Sequence, residues 1–228
     1  MGAVGVGSRS RSRSRNRSRS RGAIAESAVD CTVVEEVVVP TPSIAPPVRR
    51  ARGVLISNSV LMLRERGLFD RYIGHVPEGT RDELLGTTPG SWVPIALAET
   101  HYTACDALGL SESQQVELGH AAGLRTRGVV LESLAKVARS LGVEAWSAFK
   151  HYPRMWARMY EGGSVGVTRL GFKDARIDVL GFPLARIRYV RCGFRGMNQA
   201  GFELFSKRVE TRELGSGSDR FSIRVVWG

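Results

Sequence analysis

A chain of 228 residues, 43% hydrophobic and 24% charged, has the composition of one globular domain with a tail, or of two small domains. Its net charge of +11 is divided: residues 1–50 carry nine Arg against Glu26, Asp30, Glu35 and Glu36, leaving +6 for residues 51–228. Three scattered cysteines (Cys31, Cys105, Cys192) with no CxxC pair exclude a disulfide framework and a cysteine-rich zinc site, and no apolar run reaches the ~18 residues of a membrane span.

The chain opens with a tract, Ser8–Arg21, that alternates Ser and Arg and places Arg9, Arg11, Arg13, Arg15, Arg17, Arg19 and Arg21 in fourteen positions. Like charges at every second residue repel, and nothing apolar is available for burial, so a disordered tail is expected. Such a tract can neutralise phosphates weakly and in a salt-dependent way. The plainer reading, a solvated low-complexity extension, is favoured because alternating Ser-Arg arises easily from short repetitive coding sequence, and the missing aromatic signature denies an RNA-recognition fold. No secretory signal is visible, and a cytoplasmic location is the expectation. Residues 28–39 have the β-branched content of a short strand able to add to a sheet edge. Pro40, Pro42, Pro46 and Pro47 then mark an extended linker, so the expected division is a tail over 1–50 and one domain over 51–228.

Beyond the linker, apolar spacing predicts a helix over 53–66, a turn or two over 68–73, and a short helix from Pro77 to Leu85 closed by Gly86. Ser91 is a good N-cap for a helix from Trp92 to Leu108, with Trp92, Ile95, Ala98, Tyr102, Cys105 and Leu108 on one face. Ser111 caps the next helix, and Val130, Leu134, Val137 and Leu141 make a stripe over 129–141. Trp146, Phe149, Tyr152, Trp156 and Tyr160 form an aromatic stripe kinked at Pro153. The period then falls to two: residues 164–170 and 175–180 read as a hairpin, 183–198 as a helix, and 202–210 and 220–227 as strands. The result is an α+β fold, a helical half followed by a β-β-α-β-β antiparallel sheet unit.

Chemistry is conspicuously thin. His75, His101, His120 and His151 show no His-Glu-x-x-His spacing, no cysteine neighbours a histidine, and no Gly-x-Ser-x-Gly elbow exists. Gly162-Gly-Ser-Val-Gly166 lacks the Lys-Ser/Thr of a phosphate loop and leads into a strand. Neither a catalytic nor a metal-binding set can be assembled, and a non-enzymatic role is expected. What remains is aromatic: Trp92, His101, Tyr102, Trp156 and Tyr160 are the candidates for lining a small-molecule pocket, against ordinary core packing as the alternative. Arg188, Arg191 and Arg195 share the polar side of one helix, where they can meet phosphates or simply solvent.

Gly90-Ser-Trp-Val-Pro94, Tyr152-Pro-Arg-Met-Trp-Ala-Arg-Met-Tyr-Glu-Gly-Gly163, Gly181-Phe-Pro183 and the terminal Val-Val-Trp227 together resemble a family of myxobacterial proteins. That family is distantly similar to the haem-nitric-oxide-binding and 4-vinyl-reductase domains, and the resemblance covers residues 50–228. It implies a helical half, a small sheet, a pocket-bearing ancestry and a tendency to dimerise. The chain lacks the Tyr-x-Ser-x-Arg clamp of the haem domains and the late cysteines of the reductase-like ones, so the resemblance implies no cofactor or metal here. The expected function is a non-catalytic regulatory or sensory domain that binds a small apolar ligand or a protein partner, with a homodimer possible. The alternative is an accessory nucleic-acid binder that uses the Arg-Ser tail for phosphate contacts.

Overall fold

The computed structural model describes Gly2 and residues 35–125 and 145–228, whose compact unit is Val33–Gly228. The arginines of the Ser8–Arg21 tract, Cys31 and the helix expected over 129–141 lie outside the described residues.

The first half is helical, as the spacing predicts: α1 (Gly53–Glu65), α2 (Phe69–His75), α3 (Glu78–Leu85) and α4 (Ile95–Asp106). A further helix, α5, is described over 112–125. Ser111 caps it reciprocally: its Oγ accepts from Gln114 N at 3.3 Å, while its own N donates to Gln114 Oε1 at 2.9 Å. The aromatic stripe breaks into α6 (Ala145–Phe149) and α7 (Tyr152–Met159), with Pro153 in the first turn of α7, where its missing N–H costs nothing.

The helix expected from Trp92 begins three residues later. Trp92–Pro94 is instead a strand, β3, paired antiparallel with β2 (Arg50–Arg52), which also pairs with β4 (Tyr160–Glu161). Pro94 explains the shift: it holds Val93 extended, and so Ser91 never reaches a capping position. The buried face of α4 turns accordingly towards Leu97, His101, Ala104 and Cys105, leaving Ile95 and Tyr102 at its border.

The second half is built on a five-stranded antiparallel sheet. In sequence its strands are β1 (Glu36–Val39), β5 (Ser164–Gly171), β6 (Asp174–Leu180), β7 (Val209–Ser216) and β8 (Arg220–Trp227), and in space they follow β1-β5-β6-β8-β7. The β-β-α-β-β order holds, with two changes of boundary. The expected 183–198 helix is a 3-10 turn (Pro183–Arg186) followed by α8 (Arg188–Phe202), and the strand expected over 202–210 lies at 209–216. Phe202 and Leu204 are drawn into the core, which keeps that stretch helical or turned and delays the strand. Phe221, Ile223, Val225 and Trp227 all point inward, as their alternation predicts, and meet Ile177 and Val179 from β6. Phe149 anchors the aromatic end of this core, 4.6 Å from Phe202 and 5.9 Å from Trp227 between ring centres.

Residues 36–48 are woven into this unit. β1, the described end of the stretch expected to add to a sheet edge, joins the sheet beside β5, and Pro46 and Pro47 lie across Gly162 and Gly163. Gly163 N donates to Pro46 O at 2.6 Å, and Val48, only 1% exposed, donates to Gly181 O at 2.7 Å. Gly162 is obligatory here: its φ is +96°, and a Cβ would stand 2.4 Å from Pro47 O. A chain begun at residue 51 therefore loses β1 and buried Val39 and Val48. It is expected to be about 3–6 kcal/mol less stable in urea unfolding than one begun at residue 33; equal midpoints would show these contacts to be idle.

The opposite face of the sheet is polar and internally paired. Arg224 Nε donates to Asp174 Oδ1 at 2.7 Å, Arg176 Nε to Asp178 Oδ2 at 3.1 Å, and Ser222 Oγ to Asp178 Oδ1 at 2.6 Å. No helix among the described residues is long and apolar enough to cross a membrane.

Candidate functional site

Where α5 crosses α8 the two backbones touch. Glycines are the reason: a Cβ on Gly119 would lie 2.3 Å from Gly193 O, and one on Gly196 would lie 2.0 Å from Val116 O. Beside this crossing, α1, α4, α8 and the start of β4 stand further off and leave a cleft of about 60 Å³. Its apolar wall includes Leu55 and Met62 from α1, Leu118 from α5, and Val190, Phe194 and Met197 from α8. Gly193 looks into it, since a Cβ added there would meet nothing within 4 Å.

The polar groups of the cleft are Asn58, Ser59, Tyr102, Tyr160 and Tyr189; no acid, base or histidine lines it among the described residues. Enclosure by protein raises all three phenols above their ordinary values, so each remains a neutral hydroxyl. Ser59 is 8% exposed, and its Oγ makes no hydrogen bond of proper geometry, although the Cys105 thiol and Tyr189 phenol lie beside it.

Behind the cleft sits a buried polar chain. His101 is wholly buried; its Nδ1 is 2.7 Å from Tyr72 Oη and its Nε2 is 3.7 Å from Cys105 Sγ. With Tyr72 donating to Nδ1, the ring proton sits on Nε2 and points at the sulfur. Burial pushes the His101 pKa down to about 3 and pushes the Cys105 thiol up, so the imidazole and the thiol are both neutral and inert at neutral pH.

Of the five pocket candidates, Tyr102 and Tyr160 line the cleft. His101 stands behind it rather than in it. Trp156 packs against Tyr160, with ring centres 4.5 Å apart and the planes tilted, and faces a second hollow by Gly162 and Gly163. Trp92 is apart from both, beneath the guanidinium of Arg52 at 4.1 Å. Ser59, Tyr189 and Gly193 are cleft residues that spacing did not single out. Gly193 was nonetheless accessible to it, falling between Val190 and Met197 on the apolar face of α8. The three helix arginines are engaged within the domain: Arg191 with Glu213 at 3.1 Å, and Arg195 and Arg188 with Glu112 at 2.5 and 3.5 Å. Among the described residues no cluster of three or more His, Cys, Asp or Glu is placed to hold a metal ion.

No protein-family model matches the chain, and a comparison with curated proteins gives no match. Solved structures do match. One comes from work on modulating haem redox potential through protein-induced porphyrin distortion (TM-score 0.50, 12% identity, 77% of this chain and 99% of that one). A second comes from work on haem distortion in the H-NOX family (0.51, 11%, 77% and 94%). A third is the Cs H-NOX domain carrying 4-cyano-L-phenylalanine (0.51, 11%, 77% and 96%). At these identities the likeness is one of fold, and the distant resemblance to haem-nitric-oxide-binding domains holds at that level.

The haem those domains imply does not fit the residues present. A cleft of about 60 Å³ falls far short of the roughly 300–1,000 Å³ of ordinary cofactor-sized pockets. Among the residue types that hold haem iron, the described lining has Met62, Met197 and three phenols, but no His or Cys. The phenols are held protonated, and no described cation faces the cleft to meet a propionate.

Proposed function

We propose that this domain is a non-catalytic sensory module that binds a small, largely apolar molecule in the cleft between α1, α4, α5 and α8. The observation carrying this reading is the cleft itself: a mostly apolar hollow with a few neutral hydroxyls and, among its described residues, no group that is charged at neutral pH. Such a lining can bind and orient a molecule, and it holds no nucleophile or base with which to transform one. The cleft borders the glycine crossing, where α5 and α8 meet backbone to backbone. A molecule seated between α1 and α8 bears directly on that crossing, and its occupancy shifts any equilibrium in which the two helices move apart.

The test is to purify the full chain from a native-like host and to record its native mass and absorption spectrum beside those of Gly193→Leu. A leucine at this position projects into the cleft without meeting another atom at its Cβ. The expected result is a co-purifying mass, or a ligand-dependent rise in Tm, that Gly193→Leu loses while staying folded. A ligand retained equally by the variant would place binding elsewhere and end this reading.

A further inference from the structure

We infer that the surface formed by β2, β4 and α7 binds the phosphate backbone of single-stranded nucleic acid. This is independent of the cleft and rests on how arginines are matched to acids. Elsewhere on the domain they have carboxylates of their own: Arg66 has Glu117, Arg186 has Glu99, Arg191 has Glu213 and Arg224 has Asp174. Around β2 the matching fails. Arg49 and Arg50 share the one carboxylate of Glu161, at 3.7 and 3.8 Å. Arg52 is spent on the carbonyls of Arg158 and Gly90, and exposed Arg154 and Arg158 have no acidic partner among the described residues.

The backbone gathers these five. β4 follows α7 directly and pairs with β2, and Arg52 Nε donates to Arg158 O at 3.3 Å, tying the end of the helix to the strand. Arg50 and Arg52 share one face of β2, while Arg154 and Arg158 lie one turn apart on α7, opposite buried Trp156. Each pair is spaced about 6–7 Å along its element, a step that successive phosphates of an extended strand can follow. Guanidinium groups crowded around one carboxylate repel one another, and a polyanion relieves that repulsion through paired N–H donors. The surface suits a nucleic acid better than a protein, whose binding needs a desolvated apolar centre. Across α7, β2, β3 and β4 the one large exposed hydrophobe among the described residues is Met155. Trp92 is already covered by the Arg52 guanidinium, which leaves phosphates rather than bases as the target.

The test measures binding of an oligodeoxythymidylate of about twenty nucleotides to the full chain across a range of salt concentrations. Arg154→Gln/Arg158→Gln is compared with the parent and with Arg208→Gln/Arg212→Gln. The latter pair loses the same charge from exposed arginines at the far edge of the large sheet. All four side chains are exposed and unpaired among the described residues, so both variants are expected to melt with the parent. Arg154→Gln/Arg158→Gln is expected to bind about 10–25-fold more weakly at about 0.1 M salt, with a log–log salt slope shallower by about 1.4. Arg208→Gln/Arg212→Gln is expected to bind as the parent does. The Ser8–Arg21 tract is common to all three proteins, so its contribution cancels.

A parent that fails to bind, or that binds no better than Arg154→Gln/Arg158→Gln, overturns the assignment; in the second case the tract alone meets the phosphates. An equal loss in Arg208→Gln/Arg212→Gln would reduce the effect to general charge and overturn it too. Equal competition by polyglutamate, or by phosphatidylserine vesicles, at matched anionic charge would reassign the surface to an acidic protein or a membrane.

Discussion

Replacing Gly196 by Ala is expected to destabilise the domain by about 3 kcal/mol or more, at the upper end of what overpacking costs. The new methyl would stand 2.0 Å from Val116 O and 2.4 Å from His120 N. Both are backbone atoms of α5, so no side chain can swing aside, and relief requires moving one helix off the other. In a domain of this size that corresponds to a fall in Tm of about 6–12 °C. The control lies one turn away on the same helix. Gly193→Ala meets nothing within 4 Å and gains helix propensity of about 1 kcal/mol. Thermal melts of the two variants should therefore move in opposite directions. A Gly196→Ala protein that melts with the parent would mean that the crossing is looser than described and is no fixed wall for the cleft.

Acid should unfold this domain earlier than its surface charges alone would suggest, and His101 is the reason. Burial holds its pKa at about 3 in the folded chain, against roughly 6.5 for an unfolded histidine. Above pH 6.5 both states carry it neutral and the full stability is present. As pH falls from 6.5 towards 3 the unfolded chain takes up a proton that the folded chain refuses. Stability then drains at about 1.4 kcal/mol per pH unit. The loss ends below about pH 3, where both states are protonated. Tyr72, Tyr102 and Cys105, the titratable groups packed around the ring, are all pushed upward and do not titrate in that window. Urea unfolding at pH 6.5 and pH 5 should show the parent losing about 2 kcal/mol more than His101→Gln, which has no proton to gain. Parallel pH profiles for the two proteins would show that water or local opening reaches His101.

Much of the architecture was legible because it rests on local periodicity. Phe221, Ile223, Val225 and Trp227 alternate without a break, and every one is buried. Leu184, Val190, Phe194 and Met197 likewise marked the inner side of the segment that contains α8. The misplaced elements are those in which a local signal was overruled. Ser91 looks like a helix cap until Pro94 and the pairing of β3 with β2 claim the next three residues as strand. The run Phe202–Phe205 has strand-like content, yet the core needs Phe202 beside Phe149 and Trp227. The candidate site was legible only in part, for a different reason. Tyr102 and Tyr160 were visible as aromatics at helical spacing, whereas Ser59 and Tyr189 become neighbours only through folding. A serine in an apolar helix gives no sign that it will lie beside Cys105 and Tyr189, and Gly119 and Gly196 reveal their role only when the two helices meet.

The placing of β1 also governs when this protein can complete its fold. Glu36 pairs with Arg169, so β1 waits for a partner more than a hundred residues further on, whereas β2 meets β3 within about forty residues and β4 only later. At about 5–20 residues per second, the edge strand emerges roughly 7–25 s before the strand that will hold it. Throughout that interval Val37, Val38 and Val39 form an apolar segment with unsatisfied backbone, while the helices around it can already collapse. Docking of β1 is thus a late step that joins the two ends of synthesis, and the emerging chain is most exposed to wrong pairing just before its hairpin appears.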